Sequence, residues 1–361
     1  MISKPICFDG YFAKSYINGV PRYAMEIIQR LDVLLDAEMF LVLPTSVKNL
    51  PNFKRIKPVF IGNGEILGGT FWELYSFKPY VRRVNGISIN LTNRLEWTRG
   101  GITTVHDLIK MRKDKYTFGL SAVNRVKTSL KSFSECEWNR FQVRNKINSA
   151  KQVVTISEFS KSELVRRFGV DPNSIRVIGV GWEHLNSINE TNDMYDQRIV
   201  PGEFFFYVGN ILPHKNMKWI LEVSKNNPTS LFVISGKKPA SLNSLIDSEL
   251  TNVIYTGYIS DGYMKYLMMN CKALLMPSLI EGFGIPPLEK LAMGGQVIAS
   301  NIPVFRESFG ESIHYIDPYD YNVDLNEVLS HPVVACDKVL EEHSWEVAAV
   351  EWANLIKECC S

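Results

Sequence analysis

One stretch constrains the fold more than any other: Pro277-Ser-Leu-Ile-Glu281-Gly-Phe-Gly-Ile-Pro-Pro-Leu-Glu289-Lys-Leu-Ala-Met-Gly-Gly295. Before it, Cys271-Lys-Ala-Leu-Leu-Met276 has the length and apolar character of a buried strand, and Gln296-Val-Ile-Ala299 after it reads as the next one. Pro286 and Pro287 suit the first turn of a helix, where a missing N–H costs nothing, and Gly294-Gly295 stops that helix. Strand, loop, helix and strand in this order are the grammar of a parallel sheet. Exposed loop N–H groups beside a helix N-terminus favour an anion such as a diphosphate. Glu281 is placed at the carboxyl end of a strand, where open α/β sheets bind ligands. Glu289 is expected in the first helical turn, within reach of hydroxyls such as those of a ribose.

The run Glu281-Gly282-Phe283-Gly284-Ile285-Pro-Pro-Leu-Glu289 resembles the E-x7-E signature of retaining glycosyltransferases of family 4, written roughly E-G-F-G-l-P-x-x-E-A. Two glutamates at that spacing carry nothing by themselves; the filled interior and the preceding strand carry the resemblance. Without it, the stretch reads as a Gly-Pro turn with two solvated glutamates. Lys290 stands where the family has alanine and is expected to face solvent.

A chain of 361 residues can hold two domains, each with its own core. No apolar run approaches the ~18–20 residues of a membrane span. The start reads as a first strand and lacks the apolar region of a signal peptide. Six scattered cysteines without a C-x-x-C suit a reducing cytoplasm. Residues 1–185 hold 28 of the 40 Lys and Arg but 16 of the 38 Asp and Glu. That part is +12 and the remainder −10, for a net +2. Such asymmetry fits either an anionic surface or substrate met by the first half, or two solvated surfaces attracting each other across a cleft.

Further runs extend the resemblance. Gly19-Val-Pro-Arg22-Tyr23 is similar to the family's G-[IV]-G-R-Y, with Pro21 for the second glycine. A glycine at this turn lets a donor phosphate or sugar approach the backbone, so Gly19 is a donor-side candidate, with Arg22 and Tyr23 on the acceptor side. Strands are expected at 6–8, 39–43, 59–61 and 87–91. Another, from Gly101, ends in His106-Asp107, similar to the family's T-[VI]-H-D-L. The resemblance puts His106 against the donor sugar or the reacting centre, and Asp107 on the acceptor side. No H-x-x-x-H or H-E-x-x-H supports a zinc site. Residues 110–146 are basic with interleaved aromatics, among them Tyr116, Phe118, Phe133, Trp138 and Phe141. They read as a membrane-surface or acceptor-binding segment, or as an amphipathic helical pair with a solvated basic face. Nucleic acid lacks any recognition motif here. Ser160 with Glu163 resembles a capping box, and residues 175–184 read as an interdomain strand and hinge.

In the second half, 186–201 is polar and reads as a linker. The strand Phe204–Val208 runs into Gly209-Asn210-Ile-Leu-Pro-His214-Lys215-Asn216, similar to the family's V-G-x-x-x-P-R-K-N, whose basic residues grip the donor diphosphate. His214 stands where arginine is usual, so Lys215 is expected to carry most of the charge and His214 one hydrogen bond. Strands follow at 231–235 and 253–257, Ser260-Asp261 opens a helix, and His343-Ser-Trp345 resembles the family's closing helix.

The resemblance implies the GT-B architecture: two Rossmann-like α/β domains facing each other across a cleft. Residues 1–185, with 343–361 packing back on them, form the acceptor side; residues 186–342 bind the nucleotide-sugar. It implies a retaining hexosyl transfer, mannose favoured, from a GDP-sugar to a glycan, lipid-linked in surface-polysaccharide or O-antigen-type assembly. Glu281, His106 and Lys215 are the catalytic candidates. Gly19, Gly209, Asn210, His214, Lys215, Gly282, Phe283, Gly284, Ile285 and Glu289 are those for the donor. No D-x-D occurs, so neither metal nor cofactor is expected. A cytoplasmic protein, peripheral on an anionic membrane face, is the expected setting. A nucleotide-sugar epimerase of the same architecture and a non-catalytic sugar-nucleotide or membrane-binding module are the alternatives.

Overall fold

The computed structural model describes residues 2–14, 19–64, 68–94, 98–109, 122–192, 196–236 and 250–360. The chain divides into two compact units, Met1–Val180 with Ser344–Ser361, and Gly181–His343.

The first unit is built on a sheet of β1 (Ile6–Asp9), β2 (Met39–Leu43), β3 (Lys57–Phe60), β4 (Ile87–Asn90), β5 (Ile102–Thr104), β6 (Gln152–Thr155) and β7 (Ile175–Val177). The spatial order is β3-β2-β1-β4-β5-β6-β7, and every pairing is parallel. Strands buried on both faces must be apolar throughout; Ile6, Cys7 and Phe8 are fully buried. Around the sheet run α1 (Val20–Leu34), α2 (Ala122–Ser149) and α3 (Glu158–Phe168). The order turns at the β1/β4 boundary, the place where doubly wound sheets open a ligand crevice.

The second unit repeats the plan with β8 (Phe204–Val208), β9 (Leu231–Ser235), β10 (Val253–Gly257), β11 (Ala273–Met276), β12 (Gln296–Ser300) and β13 (His314–Ile316). Its order is β10-β9-β8-β11-β12-β13, again all parallel, with the turn between β8 and β11. Its helices include α4 (Met217–Asn226), α5 (Asp261–Asn270) and α6 (Ile285–Ala292). Trp219 of α4 is buried in the core with Phe205, Tyr207 and Ile220, and its indole N–H reaches Asp320 O at 2.7 Å. Ser260 caps α5, accepting from Tyr263 N at 3.1 Å, as its sequence position predicts.

The closing helix, α7 (Trp345–Cys360), belongs to the first unit. Trp352 Nε1 donates to the Tyr23 hydroxyl at 2.8 Å, and Arg30 of α1 meets Glu346 at 2.7 Å. The two helices thus lie side by side, joined by a buried hydrogen bond and an ion pair.

Two local readings of the sequence are corrected. The cap of α3 is Ser157, whose Oγ accepts from Ser160 N at 3.1 Å. Ser160 instead donates to His106 O, and Glu163 pairs with Arg166 and Arg167 one turn on, so Ser160 and Glu163 form no capping box. Lys290 does not face solvent: it is 2% exposed, and its ammonium donates to Met268 O and Cys271 O. Those carbonyls end α5, where a cation meets the negative pole of the helix. Among the described residues no helix is long and apolar enough to cross a membrane.

Candidate functional site

The loop after β11 and the turn after β8 meet at the crossover of the second sheet. Leu279 N donates to His214 O at 2.8 Å, tying the loop to the turn Pro213–Lys215. That bond brings two side chains together: Lys215 Nζ lies 2.5 Å from Glu281 Oε1, with only 18% and 8% of the side chains exposed. A largely buried contact of this kind fixes the direction of both side chains. His214, beside it, stays neutral: burial, then the Lys215 charge, lowers its pKa to about 4.

Asn216 follows in a left-handed conformation (φ 55°), its amide anchored to Pro318 O at 2.8 Å, and α4 begins with no side-chain cap. In that first turn Trp219 N donates to Asn216 O at 2.9 Å, and the positive end of the helix favours an anion. Gly209 precedes the turn, and Asn210 O accepts from the Tyr207 hydroxyl at 3.1 Å, holding the exposed Asn210 in place.

The loop itself is shaped by packing. Gly284 has φ 113°, and a Cβ there would sit 2.7 Å from the Phe305 ring, so only glycine fits. Phe283 is buried, edge-on to Phe309 and to the His343 ring. Gly282 and Ile285 flank that anchor, and Ile285 starts α6. Glu289 is thus the fifth residue of α6, not part of its first turn. It is buried, and Oε1 lies 2.8 Å from Nε2 of His184, itself buried. His184, on a short turn Glu183–Ser187, is absent from the sequence candidates; nothing in its local pattern marks it. That turn is held by Lys265 of α5, which donates to Leu185 O and Ile188 O.

In the first unit, His106 follows β5 and is clamped on three sides. Its N–H donates to Asn93 Oδ1 at 2.7 Å, its carbonyl accepts from Ser160 at 3.1 Å, and Nε2 lies 2.9 Å from Leu91 O. Burial drives the ring pKa down to about 4, so it is neutral, and Nε2 is committed to donating to the backbone. Asp107 shapes the same loop, accepting from Ile109 N at 3.0 Å. Gly19 caps α1 with φ 50°, and Arg22 is buried on that helix. Tyr23, read from the sequence as an acceptor-side group, is a core residue. It is 1% exposed, its hydroxyl donates to Ile178 O at 3.3 Å and accepts from Trp352, and its ring stands edge-on to His106. An aromatic at that helical position fills the gap between α1 and α7 and is closed to a ligand.

The basic stretch 110–121 lies outside the described residues, as do the side chains of 122–135, Phe133 among them. Further along α2, Trp138 and Phe141 stack at 5.5 Å and are 49% and 47% exposed.

Residues 192–328 match the family described as glycosyl transferases group 1. The chain is 30% identical over 195 residues to the O-antigen chain mannosyltransferase RfbU of Salmonella typhimurium, covering 52% of this chain and 53% of that protein. The chain thus spans about half the length of that relative. It is 25% identical over 368 residues to O-antigen chain mannosyltransferase B of Escherichia coli, covering 92% and 90%. Among solved structures, sucrose-phosphate synthase from Thermosynechococcus elongatus aligns over 98% of both chains with a TM-score of 0.71 at 17% identity. That likeness is one of fold: a GT-B pair of Rossmann-like domains. The glycosyltransferase part of the resemblance drawn from the E-x7-E stretch is borne out over residues 192–328.

Proposed function

We propose, from the match of residues 192–328 to the group 1 glycosyltransferases, that the chain is a retaining hexosyltransferase. Mannose is the favoured sugar, GDP-mannose the favoured donor, and a lipid-linked glycan of O-antigen-type assembly the favoured acceptor. The observation that supports this most is the Lys215–Glu281 pair at the crossover of the second sheet, beside the uncapped start of α4. There Lys215 and backbone N–H groups neutralise a diphosphate as it leaves, with no metal required. Glu281 holds the sugar hydroxyls and Glu289 the ribose. The acceptor oxygen bonds to the anomeric carbon from the face the phosphate leaves, and its proton passes to the departing phosphate oxygen. Configuration is thereby kept without a carboxylate nucleophile, a scheme that differs from the paired carboxylates of retaining glycosidases.

The mannose preference rests on the two O-antigen mannosyltransferase relatives and the GDP preference on the family resemblance alone; the donor is the part most easily tested. In a thermal-shift screen, GDP-mannose raises the melting temperature more than UDP- or dTDP-sugars do, since a ligand of the native state stabilises it. No shift with any nucleotide-sugar contradicts the reading. The basic first half and the exposed Trp138–Phe141 stack support a peripheral seat on an anionic membrane. Sedimentation with anionic liposomes is then strong at low salt and lost at ~0.5 M, where the Debye length falls to a few ångströms. Protein left in the supernatant at low salt removes the membrane from the proposal.

A further inference from the structure

The crossover of the first sheet holds a second pair of opposite charges, and it is unlike the first. Asp9 ends β1, with its side chain 1% exposed. Its Oδ1 accepts from Tyr11 N at 3.0 Å. Its Oδ2 is buried with no hydrogen-bond partner, and so is Nε of Arg94, which lies 3.9 Å away. Buried polar groups are nearly always satisfied, and those that are not commonly mark a ligand's place.

Arg94 forms a long ion pair with that carboxylate, at 3.9 Å, but no hydrogen bond to it. Its guanidinium lies over the Tyr11 ring, 3.7 Å from the centroid, and against Gly69, where a Cβ would sit 1.8 Å from Nη2. The backbone leading to it is braced as well. Asn90 Oδ1 accepts from Thr92 N and Oγ1, each at 3.0 Å, and the buried Lys146 donates to Thr92 O at 2.6 Å and Thr104 O at 2.9 Å. One unspent acceptor and one unspent donor are thus fixed side by side where a doubly wound sheet takes its ligand. Burial raises the Asp9 pKa against the opposing charges of Arg94 and Lys146, a cost that a bound hydroxyl relieves.

We infer that Asp9 and Arg94 bind a vicinal diol of the acceptor sugar, one hydroxyl donating to Asp9 Oδ2 and its neighbour accepting from Arg94 Nε. The inference rests on the glycosyltransferase reading above. The class of ligand follows from the charges. A phosphate would meet Asp9 as a repelling neighbour, whereas adjacent ring hydroxyls supply a donor and an acceptor together and bring no charge. Tyr11, already stacked under Arg94, sets the plane in which the guanidinium points.

The test uses methyl α-mannoside, α-galactoside and α-glucoside as probes, read by saturation-transfer NMR on the full chain, with inorganic phosphate as competitor. Wild type binds at least one glycoside, and phosphate does not displace it. Asp9→Asn keeps the Oδ1 bond to Tyr11 but presents an amide N–H₂ to the hydroxyl; Arg94→Met keeps the stem and loses the donor. Each weakens glycoside binding by about tenfold or more, the effect of a lost charge-assisted bond. GDP binding stays as in wild type. Unchanged glycoside binding in both variants, no glycoside bound by a wild type that binds GDP, or displacement by phosphate overturns the inference. A wild type that binds no nucleotide overturns the reading beneath it instead.

Discussion

At the crossover of the second sheet, Glu281 and Glu289 each hold a close partner, Lys215 and His184; at that of the first, Asp9 Oδ2 has no hydrogen bond, only a 3.9 Å ion pair with Arg94. Both crossovers come from the same sheet topology, so the strand order does not explain the difference. A carboxylate in contact with a cation or an imidazole is aimed before any ligand arrives. A carboxylate left unmet in a buried place is costly until something fills the gap. On the proposed function, the donor side is assembled in advance, and the Asp9–Arg94 side is completed by what it binds.

The largest test of this contrast is to break the Lys215–Glu281 pair. Glu281→Gln and Lys215→Ala each lower turnover by ~10²-fold or more, the scale of a lost transition-state charge, while circular dichroism reports a folded protein. Near-wild-type turnover in both removes the pair from the chemistry.

A second test concerns His106, whose ring is buried and neutral. Its folded pKa of about 4 lies below the ordinary 6.5, so unfolding takes up a proton between those values. Stability is full above pH 6.5 and falls as pH drops toward 4, by up to about 3 kcal/mol from this group. Urea titrations across that range show a shallower acid slope in His106→Gln. An equal slope in the variant means that the ring titrates freely.

The smallest effect is at His184. His184→Phe leaves Glu289 without its partner and raises KM for the donor about tenfold with a lesser change in kcat, as expected when a positioning bond of ~1.4 kcal/mol is lost. A fall in kcat alone would place His184 elsewhere in the mechanism.

These contrasts also mark what sequence can carry. The loop and helix from Pro277 to Gly295 are legible because one contiguous run supplies the strand, the glycine that must adopt φ 113°, the prolines and both glutamates. The twofold doubly wound plan follows from strands with clear apolar runs. β13 escapes notice because three residues carry no period. Lys290 reads as solvated because its role depends on where the end of α5 comes to rest, 19 and 22 residues away in the chain. Tyr23 sits in a family-like run, yet a helix from the far end of the chain covers it. His184 lies 105 residues from Glu289, and Asp9 lies 85 residues before Arg94; nothing local announces either pair.

The central claim is a transfer that keeps anomeric configuration. Purified protein is incubated with GDP-mannose and a short-chain lipid-diphosphate oligosaccharide, and the product is read by NMR as it forms. The account predicts GDP release matched by a new α-mannosyl linkage, absent in Glu281→Gln. A β-linked product, free sugar formed without acceptor, or no GDP release from any nucleotide-sugar tested would contradict it.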